Sequence, residues 1–285
     1  MNNRMTSFLL IPLLLVACGK ESRKPNIPEP QRPPQQKEYT FATTPSWADE
    51  FEYEGLPDED KWSYDVGSQN NGWGNNELQF YTEKRSENAY VANGILTINA
   101  IKEEHEGLAY TSARLVSRGK ADFLYGRFEV RAKVPQGVGT WPAVWMLPTD
   151  WKYGGWPASG EIDILEHVGY DQDVVHISVH TEAYNHSIGT QKTGTKKIQN
   201  ATTDFHRYRV DWTPAYIRGY VDDVQIFSFQ NEGKGYKVWP FDQQFHWLIN
   251  LAVGGNWGGQ QGVDEAAFPA RMEVDYVRVY ALIEN

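Results

Sequence analysis

Apolar and polar residues alternate along much of this chain. Phe128-Glu129-Val130-Arg131-Ala132-Lys133-Val134 has period two and stops at Pro135. That period places successive side chains on opposite faces of a strand. His206 to Trp212, Phe245 to Val253 and Met272 to Leu282 read as further strands. Tyr216 to Phe229 holds two short β-rich runs around Asp222-Asp223 and predicts a hairpin. Gly, Pro, Asn and Asp clusters separate these runs. No window carries a sustained 3.6-residue apolar period. The pattern predicts an all-β chain, and the number of strands predicts two packed sheets.

The first forty residues break the pattern. An apolar run from Phe8 to Ala17 follows Arg4. It is too short to span a bilayer, which takes about 20 residues, and it suits the core of a signal peptide. It ends Leu15-Val16-Ala17-Cys18-Gly19, which resembles a bacterial lipobox, in which the cysteine carries the lipid. Residues 19–38 are polar and rich in proline and cannot build a core, so they read as an extended tether. The expected organisation is a signal at 1–18 with Cys18 as lipidation site, a tether at 19–38 and one folded domain at 39–285. The expected location is an exported, membrane-anchored lipoprotein of the periplasm or cell surface. A lone domain on a tether suggests a monomer.

One strand carries a costly pattern. Ser159-Gly160-Glu161-Ile162-Asp163-Ile164-Leu165-Glu166-His167 has three acids within six residues. Glu161 and Asp163 share a face, with Ile162 and Ile164 on the other. Glu166 falls out of phase unless one extra residue is accommodated in a β-bulge, with Ile164-Leu165 as a single step. Clustered carboxylates oppose one another's ionisation, and proteins that cluster them commonly use the altered pKa values. Retaining glycoside hydrolysis needs an ionised and a protonated carboxyl about 5–5.5 Å apart. The same spacing also suits a calcium site or a solvated acidic face, and spacing alone does not separate the three.

Composition narrows the partners. The formal net charge of −10 argues against nucleic acid, whose binders present basic patches. It is compatible with a neutral polysaccharide. Eleven Trp and 16 Tyr suit either a bulky β-core or a cleft that covers the apolar faces of sugars. Cys18 is the only cysteine, which excludes an intramolecular disulfide and a cysteine-based metal site. His176 and His180 are four apart and share a strand face, but no third ligand at suitable spacing accompanies them.

Glu161-Ile-Asp163-Ile-Leu-Glu166 resembles the bulged Glu-x-Asp-x-x-Glu signature of glycoside hydrolase family 16. Trp141-Pro-Ala-Val-Trp145, Trp73-Gly-Asn75-Asn-Glu77-Leu-Gln79, Gly254-Gly-Asn256-Trp257 and Asp275-Tyr-Val-Arg-Val-Tyr280 resemble further family segments in the family's order. The Trp73 segment is similar to the laminarinase branch. The resemblance spans about residues 45 to 282. It implies a jelly roll of two curved antiparallel sheets with substrate across the concave face. It implies an endo-acting, retaining β-1,3-glucanase, with mixed-linkage β-1,3-1,4-glucan as a further substrate. It assigns Glu161 as nucleophile, Glu166 as acid and base, and Asp163 as the group between them. It carries substrate contacts onto Asn75, Arg114, Trp141, Trp145, His180, Trp239 and Trp257. Catalysis needs no cofactor. A structural Ca2+ is implied at Glu50, the backbone of Gly94 and Asp275. Ala113 is a minor departure from the family's usual Gly, and Thr181 departs from its usual Trp, which puts a stacking contact beside His180 in doubt. Two other readings are a family 16 hydrolase of algal galactans and a non-catalytic glucan-binding surface lipoprotein.

Overall fold

The computed structural model describes residues 39–283. Residues 1–38, including Cys18, lie outside the described residues. Two large sheets dominate. One contains eight strands in the order Lys192–Lys197, Val174–His180, Glu161–His167, Thr140–Pro148, Phe245–Val253, Arg114–Val116 and Ser63–Tyr64, with Asp122–Phe123 also paired to Phe245–Val253. The other contains ten, and Gly126–Lys133 and Ala270–Tyr280 lie at its centre. Its pairings are antiparallel except one, where Gln79–Tyr81 runs parallel to Leu108–Ser112.

The expected strands are present. His206–Trp212 and Phe245–Val253 match at both ends, and the hairpin turns at Asp222 and Asp223, both with positive φ. A single core fills the space between the sheets. Phe128, Val130 and Ala132 enter it from the ten-stranded sheet. Ile162, Ile164, Leu165, Trp247, Ile249 and Leu251 enter from the eight-stranded sheet, all fully buried or nearly so. Burying a Leu, Ile, Val or Phe side chain stabilises by about 1.5–3 kcal/mol, so this shared core fixes which face of each strand looks outward.

The strand bearing the acids is fixed at both ends by glycine. Gly160 has φ of 89°, and a Cβ there would lie 2.8 Å from Pro240. At Gly169 a Cβ would lie 1.7 Å from the carbonyl oxygen of Gly137. Neither position accepts a side chain without moving backbone or core, so the register of Glu161–His167 is tied to its surroundings at entry and exit.

Trp239 corrects one expectation. It is 5% exposed, stacks on Phe229 at 5.5 Å between ring centroids and meets Phe241 edge-on at 5.2 Å. It is a core residue, not a sugar platform. Trp239→Ala is expected to destabilise the fold by about 3–5 kcal/mol. Urea unfolding checks this; a variant as stable as wild type would remove Trp239 from the core.

Candidate active site

Glu161–His167 lies between Thr140–Pro148 and Val174–His180. Asp163 pairs with Ser178 and Glu166 with His176, so Ile164 and Leu165 together stand opposite the single residue Ile177. On the other side Trp145 pairs with Asp163 and Val144 with Leu165, which skips Ile164. This is the bulge that the phase of Glu166 requires. It turns both Ile164 and Leu165 into the core and returns Glu166 to the face of Glu161 and Asp163.

The three acids sit in different hydrogen-bonding environments. Glu161 accepts from the Trp156 indole N–H at 2.9 Å, and His180 Nε2 lies 3.6 Å from its other oxygen. Asp163 is 2% exposed and has His180 Nε2 at 3.4 Å from Oδ2. Glu166 accepts a longer bond, 3.3 Å, from the Trp141 indole. Burial pushes each of the three up to about 8. Asp163's charge raises Glu161 and Glu166 further, while His180 and the indole donors oppose the shift. With Trp156 and His180 both beside it, Glu161 holds the better-supported carboxylate. Glu166, with one long donor, is the better proton carrier.

These shifts have a sign. A carboxyl raised from about 4 to about 8 on folding stabilises at low pH, and that contribution is lost as pH rises through about 8. Buried His167 and His246 act oppositely. Burial lowers them to about 4 and about 3, so their contribution is complete above 6.5 and lost as pH falls. From about pH 6.5 to 8 the carboxyls therefore dominate. Asp163→Asn is expected to flatten the fall in melting temperature across that window. Calorimetry at several pH values checks it, and identical slopes in the two proteins would refute it.

To one side of the acids lies a polar network. Arg114 is 7% exposed and sandwiched between Trp73 and Trp145, its guanidinium 4.5 and 4.8 Å from their ring centroids. Its Nε is 2.9 Å from Asp65. The Trp145 indole donates to Asn250 at 2.7 Å, Asn250 donates to the Tyr81 hydroxyl at 3.0 Å, and Tyr81 donates to Glu77 at 3.3 Å. Glu77 also accepts from Asn75 and Gln79, at 3.2 and 2.7 Å, and burial raises its pKa. On the other side, Trp257 meets Trp141 and His176 edge-on at 5.6 and 4.8 Å. The outward face of the eight-stranded sheet thus carries half-buried indoles on both sides of the acids.

Of the expected site residues, Glu161, Asp163, Glu166 and His180 come together, Trp141 and Trp257 join them, and Asn75, Arg114 and Trp145 belong to the adjoining network. The expected calcium ligands do not form a free donor set. Both Glu50 oxygens accept from Arg278 at 2.8 Å, Asp275 is paired with Arg131, and Gly94 occupies a turn with φ of 75°. As arranged, these carboxylates serve guanidinium groups and do not fit a cation. Gln79 and Tyr81 are alternate residues of the strand Gln79–Tyr81, and Glu77 just before it continues their period of two. Asn250 gave no local signal. Trp156 sits in a Gly- and Pro-rich loop with nothing to mark it as a partner of Glu161.

The sequence profile of Glycosyl hydrolases family 16 matches residues 60–278, most of the chain. The chain belongs to glycosyl hydrolase family 16. A β-glucanase from Rhodothermus marinus is 58% identical over 245 residues, 84% of this chain and 85% of its own. The solved structure of the laminarinase from Rhodothermus marinus superposes with a TM-score of 0.83 at 56% identity, covering 87% of this chain and 100% of that one. A non-specific endo-β-1,3(4)-glucanase of family GH16, co-crystallised with 1,3-β-D-cellotriosyl-glucose, superposes with a TM-score of 0.81 at 45% identity, over 86% of this chain and 98% of that one. The two sheets are those of the family 16 laminarinase jelly roll, and the chain is a glycoside hydrolase.

Proposed function

We propose that the enzyme cleaves internal β-1,3 bonds of glucan with retention at the anomeric carbon. The bulge carries this reading, because it sets three acids, Asp163 buried and Glu161 and Glu166 half-buried, on one face with unequal donors. Glu161, ionised and steadied by the Trp156 N–H, attacks the anomeric carbon and forms a covalent glycosyl-enzyme. Glu166, protonated, gives its proton to the departing glycosidic oxygen. It then takes a proton from water, whose oxygen attacks the anomeric carbon and releases Glu161. Asp163, between the two on the same face, raises the proton affinity of both Glu161 and Glu166 through its charge. Half-buried Trp141, Trp145 and Trp257 offer rings to pyranose faces, and Arg114 and Asn75 offer donors to hydroxyls. The glucanase relatives support the β-1,3-glucan assignment, with mixed-linkage glucan as a second substrate.

Proton NMR of laminarin during digestion tests this. The first product resonances are expected to be those of the β-anomer. Intact laminarin beside cleaved agarose, porphyran or carrageenan would move the enzyme to galactans. Binding without cleavage of any of these would make the protein a glucan receptor.

The sequence further supports a lipid on Cys18, a tether over residues 19–38 and a monomeric catalytic unit outside the cytoplasm. Mass spectrometry of the membrane fraction tests the anchor: a mature chain without an acyl group at Cys18 would rule it out.

A further inference from the structure

We propose that Glu161, Asp163 and His180 also form a binding site for a borderline divalent cation of the zinc and copper kind, and that an ion there silences the enzyme. The binding claim stands on the residues themselves; the silencing rests on the catalytic reading above. One donor atom from each of the three residues lies within 4.8 Å of the others. His180 Nε2 is 3.6 Å from Glu161 Oε1 and 3.4 Å from Asp163 Oδ2. Zinc bonds to nitrogen and carboxylate oxygen at roughly 2.0–2.2 Å, so neighbouring ligands of a tetrahedral ion stand roughly 3.3–3.5 Å apart. These two separations are close to the edges of such a tetrahedron.

A second observation points the same way. Asp163 is 2% exposed, yet its Oδ2 has no hydrogen-bond partner. Buried carboxylate oxygens are usually satisfied, and this one faces the imidazole nitrogen. Two carboxylates and a neutral imidazole balance a divalent charge. The mixed nitrogen and oxygen set favours zinc or copper over calcium and magnesium, which take six or more oxygen ligands or keep several waters. The ion would use Glu161 Oε1 and leave Oε2 on the Trp156 indole, so no existing bond to the protein frame need break. The fourth position opens toward the cleft, where water completes the shell. An ion so placed takes the electron pairs with which Glu161 attacks.

His180 supplies the third ligand through pairing of its strand with the acid strand, opposite Glu161. His176, four residues earlier on the same strand and opposite Glu166, lies outside the cluster.

Metal-stripped protein is first assayed on laminarin, then titrated with Zn2+ by calorimetry and with Co2+ by visible absorption. Wild type is expected to bind one ion per chain at this site, with the intense d–d bands of four-coordinate Co2+. His180→Gln and Asp163→Asn are each expected to weaken binding by more than the roughly 100-fold that outer-shell partners cost. His176→Ala is expected to bind as wild type does. Circular dichroism confirms that each variant is folded, and His180→Ala provides a second test at that position. Hydrolysis by wild type falls as the site fills and returns with EDTA. Unchanged binding in the folded His180 variants would overturn the proposal, as would a zinc-loaded enzyme that still cleaves. If the metal-free enzyme leaves laminarin intact, the substrate assignment fails, while the binding series still decides the site.

Discussion

Glu161→Ser is expected to bind laminarin oligosaccharides and hydrolyse none of them. The loss in kcat should be on the order of 10^4-fold or more, the scale on which removal of an enzymatic nucleophile is felt. The serine side chain is two heavy atoms shorter and carries no carboxylate. The fold should not suffer. Desolvation and Asp163 push the half-buried Glu161 up to about 8, so the folded state disfavours its carboxylate and removing the group costs no stability. Melting temperature at neutral pH should therefore hold or rise while activity vanishes. A variant that retains a tenth of wild-type kcat would refute Glu161 as the nucleophile. A variant that fails to fold would contradict the buried-charge argument. The Trp156 indole loses its acceptor in this variant, so tryptophan fluorescence should shift even where stability does not.

Glu166→Gln is expected to fail differently. Gln cannot give a proton to the departing sugar, and the usual contribution of general acid catalysis is about 10²–10⁴-fold. Laminarin should be cleaved slower by that factor. An activated aryl glycoside, whose leaving group needs no proton, should still form the glycosyl-enzyme. Gln also cannot activate water, so this intermediate should accumulate, and mass spectrometry should find the sugar attached at Glu161. The alkaline fall of the wild-type pH–rate profile should disappear on the aryl substrate. If aryl and polysaccharide substrates slow by the same factor, Glu166 does not act on the leaving group.

Much of this site was legible before any coordinates. Period two at Glu161 and Asp163 names the outward face, and the phase error at Glu166 demands the bulge observed at Ile164 and Leu165. Bulges announce themselves when one residue of a strong pattern falls on the wrong face. Trp239 misled because a tryptophan looks the same in sequence whether it stacks on sugar or on Phe229. Only the path of the chain between the sheets distinguishes the two. The guanidinium partners of the expected calcium ligands were hidden for a related reason. Glu50 directly follows the strand Trp47–Asp49 and Asp275 lies on Ala270–Tyr280; their partners Arg278 and Arg131 come from neighbouring strands, and that pairing is not written in either segment alone. Trp156 escaped because its loop has no period. Its link to Glu161 depends on how the loop folds back over the end of the acid strand.

The strand Phe245–Val253 has all nine residues buried. It pairs on one side with the strand of Arg114 and on the other with that of Trp141 and Trp145. Its one amide, Asn250, joins Trp145 to Tyr81. No residue here is free to vary without disturbing core and cleft together. Diversification toward a new polysaccharide would thus have to be written in the surrounding loops, at Trp73 to Asn76, at Trp156 and at Asn256 to Gln260. A library restricted to those segments should yield altered substrate preference in folded proteins, whereas one aimed at the central strand should yield mostly insoluble chains.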